Sequence, residues 1–61
     1  KRTAFIQHLK NCGCNLVREG GRHSWWGNPD NGRRSSVPRH QEINDILVLK
    51  ICKDLDIPKP V

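Results

Sequence analysis

His23 has the side chain and the sequence surroundings that best suit catalysis. It follows the pair Gly20-Gly21, which predicts an exposed turn, and Arg22 precedes it directly. Histidine transfers protons well at neutral pH because its ordinary pKa lies near 6.5, and arginine holds phosphate through paired hydrogen bonds. The combination favours proton transfer beside a bound phosphate. A histidine in such a turn is also commonly a surface residue with no catalytic or binding function.

Other basic residues could contribute to the same site. Arg33 and Arg34 lie on a predicted neighbouring strand, and Arg39 and His40 lie in the loop that follows it. A structural hydrogen bond explains His40 equally well. His8 lies on the polar side of the first predicted helix, where we expect it to be solvated.

Trp25 and Trp26 occupy adjacent positions of a predicted strand, so their side chains point to opposite faces of the sheet. One of them should be part of the core. The other should lie on the open face, where it could stack on a nucleic-acid base or anchor a protein partner.

The cysteines Cys12, Cys14 and Cys52 predict neither a disulfide scaffold nor a zinc site. Their number is odd, and Cys12 and Cys14 are too close in sequence to bridge easily. Their spacing also differs from the cysteine pairs of structural zinc sites. We expect reduced thiols, which favours the cytoplasm, and no metal or other cofactor. Cys12 and Cys52 should pack in the core as small apolar side chains.

The composition predicts one small basic domain that binds a polyanion. The chain has 61 residues, with 11 Lys and Arg against 6 Asp and Glu and a formal net charge of +5. Its pI of about 9.6 is in the range typical of nucleic-acid-binding domains. No apolar run approaches the roughly 18 residues that a membrane helix needs, so we expect no membrane association. Charge that serves only solubility is the alternative.

A helix, three strands and a second helix must position these side chains. Apolar residues at three- and four-residue spacing predict a helix over about residues 3–12: Phe5, Ile6, Leu9 and Cys12. Thr3 is its expected N-cap, and Gly13 can adopt the left-handed conformation that ends it.

The three strands are predicted over about residues 14–19, 22–27 and 33–37. In the first strand, Cys14 and Leu16 should face inward. Gly20-Gly21 predicts a tight reversal before the second strand, and the run Asn-Pro-Asp-Asn-Gly at 28–32 predicts a turn before the third.

The second helix is predicted over about residues 44–55, with Asn44 as its N-cap. Its apolar stripe is broad: Ile46, Leu47, Leu49, Ile51, Cys52 and Leu55. The order predicts a single α+β domain over residues 1–61. In this two-layer α-β-β-β-α fold, a three-stranded antiparallel sheet packs on two helices, as in double-stranded-RNA-binding domains.

Three segments of the chain resemble the HicA (YcfA-like) family of toxins. The family has a Gly-x-His turn, an Asn-Pro turn and a Val-Pro-x-His segment in this order. The chain has Gly21-Arg22-His23, then Asn28-Pro29, then Val37-Pro38-Arg39-His40. The resemblance runs over residues 5–57. Many members have serine before the histidine and a second histidine after it, where this chain has Arg22 and Ser24.

The resemblance implies a metal-independent endoribonuclease toxin that cleaves messenger RNA and is neutralised by a HicB-type antitoxin. It implies that His23 is the catalytic residue, acting as general acid or base around the ribose 2′-hydroxyl. No second proton donor is apparent. The expected RNA-binding residues are Arg22, Arg33, Arg34, Arg39 and His40. Trp25 or Trp26 should contact the antitoxin, whose surface over His23 we expect to be acidic or mixed in charge.

Two other functions fit the same residues. One is a non-catalytic RNA-binding module on a double-stranded-RNA-binding-like fold. A full domain of that kind spans about 16 base pairs, and this chain is short for so many contacts. The other is a protein-interaction domain that uses the exposed tryptophan, with its positive charge directed to an acidic partner.

Overall fold

The computed structural model describes residues 1–60 and confirms the predicted order of elements. Helix α1 spans Arg2–Asn11 and helix α2 spans Asp45–Leu55. Strands β1, β2 and β3 span Asn15–Glu19, His23–Asn28 and Arg33–Pro38, and they pair antiparallel in the order β1-β2-β3. Both helices contribute to a core on one face of the sheet, so the predicted two-layer α+β fold is confirmed.

The core lies between the sheet and the two helices. Its buried apolar side chains are Phe5, Leu9, Cys14, Trp26, Val37, Ile43, Ile51, Cys52 and Leu55. Burying a large apolar side chain completely stabilises a fold by about 1.5–3 kcal/mol. Cys14 and Cys52 are free thiols in this core, and burial raises the pKa of both. The predicted core position is confirmed for Cys52, whereas Cys12 is only partly buried.

Helix α1 begins without the predicted side-chain cap. Thr3 lies inside the helix, and the capping residue is Lys1, whose side chain makes no capping hydrogen bond. The N–H of Arg2 instead donates to the Gln41 carbonyl at 2.9 Å, so a distant loop supplies the partner that a cap would give. Gly13 ends the helix as predicted, with φ 86° and its N–H donating to the Lys10 carbonyl at 3.0 Å.

His8 is half-buried, so the prediction of a solvated side chain is wrong. Its ring stacks on Phe5 with 6.3 Å between the ring centroids, and its Nε2 donates to the Pro58 carbonyl at 2.7 Å. The chain after α2 therefore returns to α1 and covers the polar side that the helical pattern assigns to solvent.

Helix α2 begins at the predicted N-cap, because the Asn44 side chain accepts a hydrogen bond from the Leu47 N–H at 2.8 Å. The buried stripe of the helix is narrower than predicted: Ile51, Cys52 and Leu55 are buried. Ile46 is 82% exposed and Leu49 is half-exposed, because the sheet covers only one side of so short a helix.

The turn between β2 and β3 also caps the C-terminal end of α2. The side-chain amides of Asn28 and Asn31 donate to the Leu55 carbonyl at 2.9 and 3.1 Å, and Arg33 Nε donates to the Asp54 carbonyl at 2.7 Å. The last carbonyls of a helix have no partner within the helix, so these bonds fix the turn against α2. The turn predicted at 28–32 is confirmed, and its two asparagines have a structural role.

Strand β1 lies at the edge of the sheet, and all five of its residues are exposed. Leu16 pairs with the buried Trp26 and so belongs to the helix-facing side, yet 47% of it is exposed. The predicted burial of Leu16 is therefore wrong, because the helices do not extend over this edge. Within residues 1–60, no helix has the length and apolar content needed to cross a membrane.

Candidate functional site

His23 and Trp25 lie on the face of the sheet that the helices leave open. Successive residues of a strand point to opposite faces, and Ser24 and Trp26 point into the core. His23 and Trp25 therefore point away from the helices, and both are exposed. We refer to this side of the sheet as the open face.

The two tryptophans divide between the faces, as predicted. Trp26 is 5% exposed and packs in the core, whereas Trp25 is 41% exposed. Trp26 cannot reach a partner in this fold, which leaves Trp25 as the candidate for a contact with RNA or protein.

Arg34 reaches the open face beyond Trp25, at the level of Gly27. Gly27 pairs with Arg34 across β2 and β3. A Cβ atom at Gly27 would lie 3.7 Å from Arg34 Cγ and 2.8 Å from Val17 Cγ2. The glycine thus allows side chains from both neighbouring strands to approach the backbone of β2. A shallow groove of about 150 Å³ is lined in part by Val17, Pro29 and Arg34.

A β-bulge in β1 brings a second arginine to the open face. Leu16 pairs with Trp26, but Arg18 rather than Val17 pairs with Trp25. Two residues, Val17 and Arg18, therefore oppose one residue of β2. Arg18 is exposed on the same face as Trp25.

The same bulge places the Glu19 side chain on the helix side of the sheet rather than on the open face. An uninterrupted register would pair Glu19 with His23, whereas the observed register pairs it with Ser24 on the helix side. A slip of one residue moves a side chain to the other face. The described strand residues of the open face consequently include His23, Arg18 and Arg34 but no acidic residue.

Glu19 instead belongs to a hydrogen-bonded cluster at the N-terminal end of α1. Its carboxylate accepts from Ser24 Oγ and from the Arg39 guanidinium, both at 2.6 Å, and Arg2 Nη2 donates to Ser24 Oγ at 3.1 Å. The bond from Ser24, followed by that from Arg39, lowers the pKa of Glu19. The cluster therefore holds an ionised Glu19 paired to Arg39 at neutral pH.

The structure places only some of the predicted RNA-binding residues next to His23 or on its face of the sheet. Arg22 precedes it in the exposed turn, and Arg34 lies on the same face. Arg33 points to the other side, where it bonds to α2, and Arg39 is paired with Glu19. His40 is exposed in the loop after β3.

Sequence reasoning missed Arg18 as a residue of the open face. The alternation of side chains along a strand shows only which residues of β1 share a face, not which face that is. The bulge also reverses the alternation after Leu16. No residue type in the strand signals the bulge, so the sequence contains no clear indication of it.

The sequence also matches the model of a known protein family. A family model described as the HicA toxin of bacterial toxin–antitoxin systems matches residues 3–57, which is most of the chain. No curated protein and no solved structure matches it. The chain belongs to the HicA toxin family, and its biological role is that of a toxin in a toxin–antitoxin system.

Proposed function

We propose that this HicA-family toxin is a metal-independent endoribonuclease that cleaves messenger RNA in the cytoplasm, with His23 as its general acid or base. The observation that carries the proposal is the position of His23 with Arg18 and Arg34 on an open sheet face whose described strand residues include no carboxylate. An RNA strand can approach such a histidine without displacing any part of the fold.

In the proposed reaction, the ribose 2′-hydroxyl attacks the adjacent phosphorus, and the bond from phosphorus to the 5′-oxygen of the next nucleotide breaks. The products are a 2′,3′-cyclic phosphate and a 5′-hydroxyl. His23 transfers one of the two protons involved, and water transfers the other. General acid–base catalysis of this kind contributes about 10²–10⁴-fold, so we expect a slow enzyme.

Arginine supplies the electrostatic part of the proposed mechanism. Arg22 is adjacent to His23 in the exposed turn, and a guanidinium there can hold two oxygens of the scissile phosphate at once. Positive charge fixed beside the phosphate stabilises the negative charge that develops on its oxygens during attack. His40 is a further candidate for a phosphate contact from the loop after β3.

The same surface is the one that we propose for binding of a HicB-type antitoxin. An exposed tryptophan is a common anchor of protein interfaces, and Trp25 stands on the face that carries His23. We propose that the antitoxin covers both residues with an acidic or mixed surface, which excludes RNA. A complex that leaves His23 open to solvent would contradict this part of the proposal.

The test is cleavage of single-stranded RNA in EDTA by the parent protein, His23→Ala and His40→Ala. We expect cleavage by the parent and by His40→Ala, little by His23→Ala, and none of an oligonucleotide that has deoxyribose throughout. RNA binding without cleavage by the parent would favour a non-catalytic RNA-binding module. Loss of cleavage only in His40→Ala would move the catalytic role to that histidine.

A further inference from the structure

We infer that the open face binds RNA as a single strand, with the base beside the scissile phosphate stacked on Trp25 and the adjoining backbone held by Arg18 and Arg34. The inference rests on the proposed function for the position of the scissile bond. The binding itself requires no cleavage, so the two can be tested separately.

The spacing of His23 and Trp25 suits neighbouring nucleotides of one RNA strand. They are two positions apart on β2 and point to the same side, which separates them by about 7 Å along the strand. Neighbouring nucleotides of an extended RNA strand are separated by a similar distance. A ribose and phosphate at His23 therefore bring an adjacent base over Trp25.

The indole ring of Trp25 is accessible to an unpaired base. Trp25 is 41% exposed on a face that no helix covers, so a flat ring can reach it. Aromatic side chains on open surfaces stack on unpaired bases irrespective of base type. In an RNA duplex the bases are already paired and stacked, and proteins read the backbone and the shallow groove instead. Trp25 thus favours single-stranded RNA over a duplex.

The charges around Trp25 are complementary to a polyanion. Arg18 lies directly across from Trp25 on β1, and Arg34 lies two residue pairs further along on β3, opposite Gly27. The bulge has turned Glu19 to the helix side, where it is paired with Arg39. Among the described strand residues of this face, a polyanion therefore meets two arginines and no carboxylate. His23 and Trp25 share this face, so RNA is the occupant that we assign to Trp25.

The experiment measures the affinity of a fluorescein-labelled single-stranded RNA oligonucleotide by anisotropy at low salt. All proteins carry His23→Ala, which prevents cleavage during the titration. Base stacking is worth about 1–3 kcal/mol, and a tenfold change in affinity corresponds to about 1.4 kcal/mol. We therefore expect Trp25→Ala to weaken binding about 5- to 150-fold, and Trp25→Phe to retain most of the affinity.

Two further variants give the controls. Leu49→Ala truncates a half-exposed apolar side chain of α2, away from the open face, and should bind RNA as the His23→Ala protein does. Arg34→Gln should weaken binding and reduce the dependence of affinity on salt, because one phosphate contact is lost. Circular dichroism of each variant verifies that the fold is intact.

The outcomes of the titrations either support or contradict the binding of single-stranded RNA at Trp25. Equal RNA affinity with and without Trp25→Ala overturns the inference and leaves Trp25 to the protein partner. Binding of a matched RNA duplex as tightly as the single strand also overturns it. If binding depends on Trp25 but the parent protein cleaves no RNA, the inference stands and the proposed function fails.

Discussion

Replacement of Asn28 should destabilise the protein without impairing its active site. Asn28 is buried, its amide donates to the Leu55 carbonyl at 2.9 Å, and its Oδ1 accepts from the Asp30 N–H at 3.1 Å. Asn28→Ala removes both bonds, but Asn31 continues to donate to Leu55. At about 0.5–1.5 kcal/mol for each hydrogen bond, the loss in free energy of unfolding is about 1–3 kcal/mol.

A matched substitution separates the two bonds. Asn28→Asp keeps the acceptor for Asp30 but loses the donor, and it places a carboxylate at the negative end of the α2 dipole. We expect it to be more destabilising than Asn28→Ala at neutral pH and less so once acid protonates the carboxyl group. Asn15→Ala, at an exposed edge position, should change stability by less than about 0.5 kcal/mol.

The assay is thermal unfolding followed by circular dichroism, together with RNA cleavage at a temperature where each variant is folded. For a domain of this size the expected fall in Tm for Asn28→Ala is on the order of 10 °C. Cleavage per folded molecule should be unchanged, because the Asn28 side chain points to α2 rather than to the open face. Normal stability with lost cleavage would refute this reasoning and place Asn28 in the site.

Two further predictions concern the first hairpin. Hydrogen bonds to Glu19, first that from Ser24, lower its pKa in the folded protein. They therefore stabilise the fold at pH values above the ordinary Glu pKa of about 4.3. This stabilisation is lost as the pH falls through the lower pKa that Glu19 has in the folded protein. The Tm of Glu19→Gln should therefore be lower than that of the parent near pH 7, and the difference should shrink in acid; a difference independent of pH would contradict the assignment. Gly20→Ala would place a Cβ 2.9 Å from the His23 carbonyl oxygen, whereas a Cβ at Gly21 has nothing within 4 Å. We expect Gly20→Ala to slow RNA cleavage and Gly21→Ala to leave it nearly unchanged, and equal rates for the two variants would count against a His23 position set by this turn.

Much of the fold could be predicted because local residue types determine it. Asn44 caps α2 through its own side chain, and Gly13 ends α1 through its positive φ. The turn at 28–32 contains the residues that such turns require. Trp25 and Trp26 divide between the two faces because alternation is a property of any strand.

The faces of the arginines could not be predicted, because they depend on register. Arg33 and Arg34 must point to opposite sides, but only their pairing with β2 decides which of them shares a face with His23. Arg18 reaches the open face only through the bulge. These are contacts between strands, and the order of residues within one strand does not specify them.

Long-range contacts explain why the predictions for His8 and for the N-terminal cap of α1 were wrong. The Pro58 carbonyl partners His8, and the Gln41 carbonyl takes the place of a cap for α1. In both cases a backbone group distant in sequence satisfies a polar atom that local reasoning assigns to water or to a neighbouring side chain. Such partners become visible only when the packing of the whole chain is known.

The measurement that tests the central claim most directly is the single-turnover rate of RNA cleavage by His23→Ala relative to the parent, both in EDTA and both verified as folded. General acid–base catalysis by one histidine predicts a rate about 10²–10⁴-fold lower for the variant, with part of the rate restored by imidazole added to the buffer. Cleavage by His23→Ala at the parent rate would contradict the assignment of His23 as the catalytic residue.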